Sequence, residues 1–253
     1  MNMTSLNTAS SQTDRAVPVA RRVGPWLRQH WVLVLTVIVG VYFGLPWLAP
    51  VFMKLGWTGA AGVIYLIYAT QCHQLPERSF FLFGPKAMWS LEEIQQAWQV
   101  TRNPFILRQF IGTAEMGWKV AWSDRMVALY GSVFLASLWY GLKRRTGKPM
   151  PWWVALLLAA PMVIDGGTHF ISDLAGLGQG FRDTNAWLAV LTGHVFPATL
   201  YAGDAMGSFN SWMRFITGGL FGFAVVGFAY PYLDSAMGTW GGLVQKYQAL
   251  EHA

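Results

Sequence analysis

Three polar clusters interrupt an otherwise apolar chain, and each holds side chains that chemistry uses. Cys72, His73, Gln74 and Arg78 follow directly on the apolar run Leu55 to Thr70. Ser123, Asp124 and Arg125 open a later run, and Asp165, Thr168, His169 and Asp173 close another. Ionisable groups in hydrocarbon are costly unless paired, so polar clusters at the ends of such runs mark candidate sites. Residues four apart share a helix face, which puts Asp165 beside His169 and His169 beside Asp173. A carboxylate beside an imidazole fixes its tautomer and raises its basicity. That serves a general base, and equally a metal ligand with its hydrogen-bonding partner. The same residues would also serve as a helix-end cap, with Gly166 and Gly167 admitting another backbone.

The catalytic candidates are His73, Asp165 and His169, with Arg78 or Arg125 holding an anionic group. The ligand-binding candidates are Cys72, His73, Gln74, Arg78, Arg125, Asp165, Thr168 and His169. Cys72 and His73 are adjacent, so on a helix they diverge by about 100 degrees. They converge on one ion only if the chain leaves helical geometry, which Pro76 favours by disfavouring helix at Leu75. A lone Cys-His pair is a weaker metal signal than paired Cys-x-x-Cys motifs, and no metal site is assigned. Cys72 equally fits a small buried apolar residue. Arg125 either snorkels to the headgroups or pairs with Asp124, Asp165 or Glu77. Antiparallel packing of successive helices would gather Arg78, Arg125 and Asp165 at one end of a bundle. Cys72, His73 and His169 would line the same pocket. Two arginines against one aspartate would leave positive charge for a carboxylate or lipid phosphate.

The elements that must position these residues are membrane helices. Hydrophobic residues make up 54% of the chain and charged ones 12%, with 14 tryptophans; together these place it in the membrane class. A helix needs about 20 apolar residues to cross hydrocarbon. Candidate runs are Trp31 to Phe52, Leu55 to Thr70, Trp122 to Leu142, Pro151 to Phe170 and Trp212 to Leu233, with tryptophans near their edges as at headgroup level. The expected fold is all-α: a polytopic membrane bundle of four to five transmembrane helices plus an amphipathic surface helix, multi-pass in the cell membrane. Residues 1–22 read as a disordered tail, 23–233 as the bundle with connections 72–121 and 171–211, and 234–253 as a C-terminal tail. Ser90 and Glu93 have capping-box spacing, and Leu91, Ile94, Trp98 and Thr101 recur at helical spacing. Asn103 and Pro104 suit the start of a second short helix, which Gly112 would end. Trp187 to Tyr201 reads as a surface helix or cap. Gly218 and Gly222 have the spacing that lets helices approach closely, and packing within the chain is the expectation.

Charge patterning conflicts with five crossings. Arg21, Arg22 and Arg28 precede the first run; Lys143, Arg144, Arg145 and Lys148 follow the third. Both groups ask to be cytoplasmic, and three full crossings between them forbid it. Either one signal is overridden or Leu55 to Thr70 is re-entrant. The net charge of +6 suits membrane flanks gripping anionic lipid, and no nucleic-acid motif is present. A single cysteine excludes an intramolecular disulfide.

At these residues the chain resembles a bacterial and archaeal family of small integral membrane proteins of unknown function. That family is marked by Cys-His-Gln with a following Arg-Ser, then Cys-Ala-Arg-Cys-Thr-Gly-Ile-Tyr, then Ile-Asp-Gly, then Trp-hydrophobic-Arg and Thr-Gly. Here the first motif stands as Cys72, His73, Gln74, Pro76, Arg78, Ser79 and Phe80. The third stands as Ile164, Asp165, Gly166 and Thr168, and the last as Asn210, Trp212, Arg214, Thr217 and Gly218. Aligned on Tyr130, Ser123 and Met126 occupy the two cysteine positions while Arg125 is kept. The resemblance implies that any metal or thiol site of the family is lost or remodelled here, since serine and thioether replace thiolates poorly. It carries no activity and no cofactor. The leading expectation is a membrane protein whose polar pocket binds a small anionic molecule or lipid headgroup. The alternatives are a membrane enzyme acting on a lipid-resident substrate, a structural subunit with a membrane-protein partner, and a small transporter.

Overall fold

A computed structural model describes residues 17–143 and 149–251. The expectation of a disordered tail over residues 1–22 therefore falls mostly outside the described residues, as do residues 144–148 of the basic loop. Helix α1 (Val17–Lys54) is followed by a short helix, α2 (Thr58–Tyr68). Eleven residues rise roughly 16 Å, about half the hydrocarbon thickness. The run Leu55 to Thr70 therefore does not cross, and the bundle has four candidate spans rather than five. Instead α2 buries Ala61, Ile64, Tyr65 and Tyr68. They join a core with Ala49 of α1 and with Val120, Ala121 and Trp122.

Those last three residues lie on a strand. A 3₁₀ turn at Pro76–Arg78 leads into β1 (Ser79–Leu82), then come α3 (Leu91–Ala97), α4 (Pro104–Leu107), β2 (Gly112–Thr113) and β3 (Gly117–Ser123). The strands form an antiparallel sheet in the order β1-β3-β2. Its register pairs Ser79 with Ser123 and Phe81 with Lys119, with an irregularity between them. Gly117 is required in the β2–β3 turn. Its φ is +84°, and a β-carbon there would lie 2.6 Å from the Gly84 nitrogen. Two expectations are corrected here. The run from Trp122 begins as strand, and Gly112 belongs to β2 and does not end a helix. The cause is burial: β3 is covered on both faces and lacks the alternation that marks a half-buried strand. It therefore reads as the start of the span that follows. The amphipathic helix also stops early, at Ala97, although its Ser90–Glu93 capping box forms on both sides. It packs Ile94 into a second, extramembrane core with Leu75, Phe81, Leu107, Phe110, Met116 and Leu177.

The remaining spans are α5 (Asp124–Lys143), α6 (Trp152–Asp173) and α10 (Phe209–Glu251). Between α6 and α10 lie the short helices α7 (Phe181–Thr184), α8 (Ala186–Leu191) and α9 (Ala198–Tyr201). Helix α10 continues through the segment 234–251 that reads as a tail in the sequence. It lies between α5 and α6. Gly218 and Gly222 face α5, where an added β-carbon would meet the Arg125 carbonyl at 2.9 Å and the Leu129 carbonyl at 2.6 Å. The chain is an all-α, multi-pass membrane bundle with a small sheet outside the spans. With four crossings, the start of α1, the end of α5 and the start of α6 fall at the same end. The conflict between the two basic groups disappears. The ends of α1 and α6 and the starts of α5 and α10 meet at the other end, beneath the sheet.

Candidate functional site: a buried arginine–aspartate network

Asp124 opens α5 and is fully buried, where a carboxylate suits the helix dipole. It accepts from the Arg125 amide at 2.8 Å and from Arg214 Nε at 2.8 Å. Arg214 sits in the second turn of α10 and reaches on to Asp204, 2.6 Å from Nη1. Asp204 comes from the α9–α10 connection and accepts Arg78 Nε at 2.8 Å. Arg78 in turn makes a two-pronged pair with Asp173 at the end of α6, at 2.7 and 2.8 Å. Burial opposes a charged Asp204, but Arg78 and Arg214 outweigh it and hold the carboxyl well below its usual range.

Asp165 anchors the other half. Arg125 Nη2 donates to one oxygen and Arg182 Nη2 to the other, each at 2.7 Å. Arg182, from α7, also donates to Asn210 Oδ1 at 3.1 Å and to Thr168 Oγ1 at 3.2 Å. His169 lies between the halves. Its Nδ1 is 3.0 Å from the Asp165 carbonyl oxygen and its Nε2 is 3.7 Å from Asp204. This arrangement suits the proton on Nδ1. Four arginines thus meet four aspartates. The charges are balanced in total but not locally. Arg125 and Arg182 share the single Asp165, whereas Arg78 and Arg214 face Asp124, Asp173 and Asp204. Arg125 Nε is buried with no acceptor.

The candidates from the sequence divide accordingly. Arg125, Asp165, Thr168 and His169 come together, and Arg78 joins only through Asp173 and Asp204. The gathering of Arg78 around Asp165 is therefore corrected. So is the common pocket with Cys72 and His73. Cys72 Sγ contacts Ser123 Oγ at 3.5 Å and the Gln74 amide at 3.4 Å, beside the sheet, and His73 is exposed. Gln74 is a structural bracket: at φ 52° its side chain donates to the Tyr65 carbonyl at 2.9 Å, and its own carbonyl accepts from Lys119 Nζ at 2.8 Å. Burial pushes the Lys119 amine down to about 7. Asp165 as a catalytic partner is weakened, because both its oxygens are taken by guanidinium groups. Among the described residues no three His, Cys, Asp or Glu side chains are placed to hold a metal ion.

As site residues Arg182 and Asp204 carry no signal in the sequence, and Asn210 and Arg214 stand there only as parts of a motif. Arg214 carried the same signal as Arg125, a cation just inside an apolar run. Arg182 and Asp204 lie in a glycine-rich connection whose return to the bundle has no spacing rule. Beside Asp165 a groove of about 740 Å³ opens between α6 and α10. Pro161, Ile164, Phe209 and Met213 wall it, and Asp165, Thr168 and Arg182 form its polar edge.

Residues 110–228 match a family described as "Predicted membrane protein (DUF2085)". The matched segment holds Arg125, Asp165, His169, Arg182, Asp204 and Arg214, and leaves out the Cys72–Arg78 stretch. The chain is also similar to an uncharacterized protein of Methanocaldococcus jannaschii, at 24% identity over 213 residues, 81% of this chain and 93% of that protein. No solved structure matches it. The chain is thus a multi-pass membrane protein that, over the segment carrying the network, is similar to a family of membrane proteins.

Proposed function

We propose that the protein binds a bilayer amphiphile with an anionic headgroup, seated in the groove between α6 and α10. The observation that carries this is the sharing of Asp165 by Arg125 and Arg182, which leaves local positive charge at the polar edge of an apolar groove. A guanidinium already held by one carboxylate stays oriented for a phosphate or second carboxylate. The apolar walls lie on two membrane spans, so an acyl chain reaches them without leaving hydrocarbon. A free anion in a closed polar pocket fits less well, since the whole network is charge-balanced. An enzyme is less supported, because Asp165 is committed to two arginines and His73 lies elsewhere. The test is thermal unfolding of purified protein in detergent with added phosphatidylglycerol or phosphatidylcholine. The anionic lipid is expected to raise Tm by roughly 3 °C or more beyond the zwitterionic one. Ile164→Trp, which fills the groove from an exposed position, is expected to remove that difference. Equal stabilisation by both lipids, or an undiminished effect in Ile164→Trp, would refute the reading.

A further inference from the structure

The extramembrane layer contains a second cavity, apart from the groove, of about 290 Å³. It lies where the turn before β1, helix α3 and the α6–α10 connection meet. Carboxylates dominate its polar lining: Glu77, Glu92, Asp183 and Asp204. Acidic clusters on a surface usually answer to solvent alone. Glu77 is different. It is 3% exposed, and neither carboxylate oxygen has a hydrogen-bond partner. Among the described residues it enters no ion pair. A buried carboxylate left without donors is costly unless something fills its lone pairs. The other carboxylates do not share this condition. Asp204 is held by Arg78 and Arg214, and Asp183 accepts from the Gly180 amide at 2.7 Å.

We propose that this cavity is a binding site for a small organic cation, an alkyl ammonium whose N–H groups donate to Glu77. The carboxylates supply charge, and an ammonium supplies the donors that Glu77 lacks. The walls Leu91 and Leu177 would take the methylenes. A bare metal ion fits less well, since no three ligating side chains are arranged for one among the described residues. The cavity also exceeds the size of a single dehydrated ion.

Burial pushes Glu77 up to about 7, against the pull of Arg78 and Lys119. Above that pH Glu77 is anionic and below it is neutral, while an alkylamine stays protonated to about pH 10. Affinity therefore rises with pH through the neutral range. The experiment is calorimetric titration of the full-length protein in detergent with butylamine, at about pH 8.5 and about pH 5.5. Saturable binding is expected at the higher pH, weaker by about tenfold or more at the lower. Glu77→Gln is expected to lose about tenfold in affinity and the pH dependence with it. Its Tm without amine should hold or rise, because an unpaired charge has been removed. Ala202→Phe, which blocks the cavity from an exposed position, is expected to lose binding with Glu77 intact. No saturable binding at about pH 8.5, binding indifferent to pH and to Glu77→Gln, or stabilisation by calcium chloride with none by butylamine would each overturn the proposal.

Discussion

At the scale of single residues, Asp165 is the hinge of the network, because two guanidinium groups depend on it from separate elements. Removing one partner of a buried pair leaves the other charged and unsatisfied, at a cost of about 3–5 kcal/mol. Asp165→Ala strands Arg125 and Arg182 together, so it should lie at the upper end of that range or fail to accumulate. The milder pair Arg125→Gln and Asp165→Asn should show strong coupling in a double-mutant cycle of thermal unfolding, about 1–3 kcal/mol. Arg78 should couple with Asp173 and Asp204, and with Asp165 by no more than about 0.5 kcal/mol. Equal coupling of Asp165 to Arg78 and Arg125 would contradict the arrangement. Asp165 was legible as a site candidate in the sequence because an aspartate deep in an apolar run needs a reason. Arg182 was not, because a cation in a polar loop needs none.

At the scale of elements, the contact between α5 and α10 depends on glycine. Gly222 admits Ser132 and the backbone of α5, while Gly219 on the same helix has open space where a β-carbon would go. Gly222→Ala must push the helices apart, losing about 1–3 kcal/mol as overpacking does. Gly219→Ala should hold or gain up to about 1 kcal/mol from better helix propensity. Thermal unfolding of the two variants side by side separates close packing from mere helix-forming tendency. A loss in Gly219→Ala as large as in Gly222→Ala would show that the close approach is not what matters. The spacing of Gly218 and Gly222 marked this face in the sequence. Which helix it meets was invisible there, since α5 lies about ninety residues away along the chain.

At the scale of the whole molecule, the short α2 decides topology. Because it does not cross, Arg21, Arg22 and Arg28 early in α1 fall at the same end as Lys143, where α5 finishes, and the positive-inside bias predicts that end to be cytoplasmic. The sheet, both cavities' polar edges and the network then face the other compartment. In a Cys72→Ser background, a cysteine at Arg102, exposed near α4, should react in intact cells with a thiol reagent that cannot cross membranes. A cysteine at Thr146 should react only after permeabilisation. The reverse labelling pattern would invert the molecule, and labelling of both in intact cells would disprove four crossings.

Composition and run length alone determined that this is a helical membrane protein, because hydrocarbon demands long apolar helices whatever they pack against. Capping at Ser90, the polar residues inside apolar runs and the close-packing glycines were equally local signals, and so were readable. The strand β3 was hidden because burial on both faces erases the period of two. The end of α2 could not be placed, because an apolar stretch does not announce where its helix ends, although the two basic groups already offered a run that does not cross as one reading. The pairing of Arg78 with Asp204, the sharing of Asp165 and the isolation of Glu77 are facts about which loop returns to which helix end. Electrostatic pairing depends on distances of a few ångströms between segments remote in sequence. Only the tertiary structure brings those segments together.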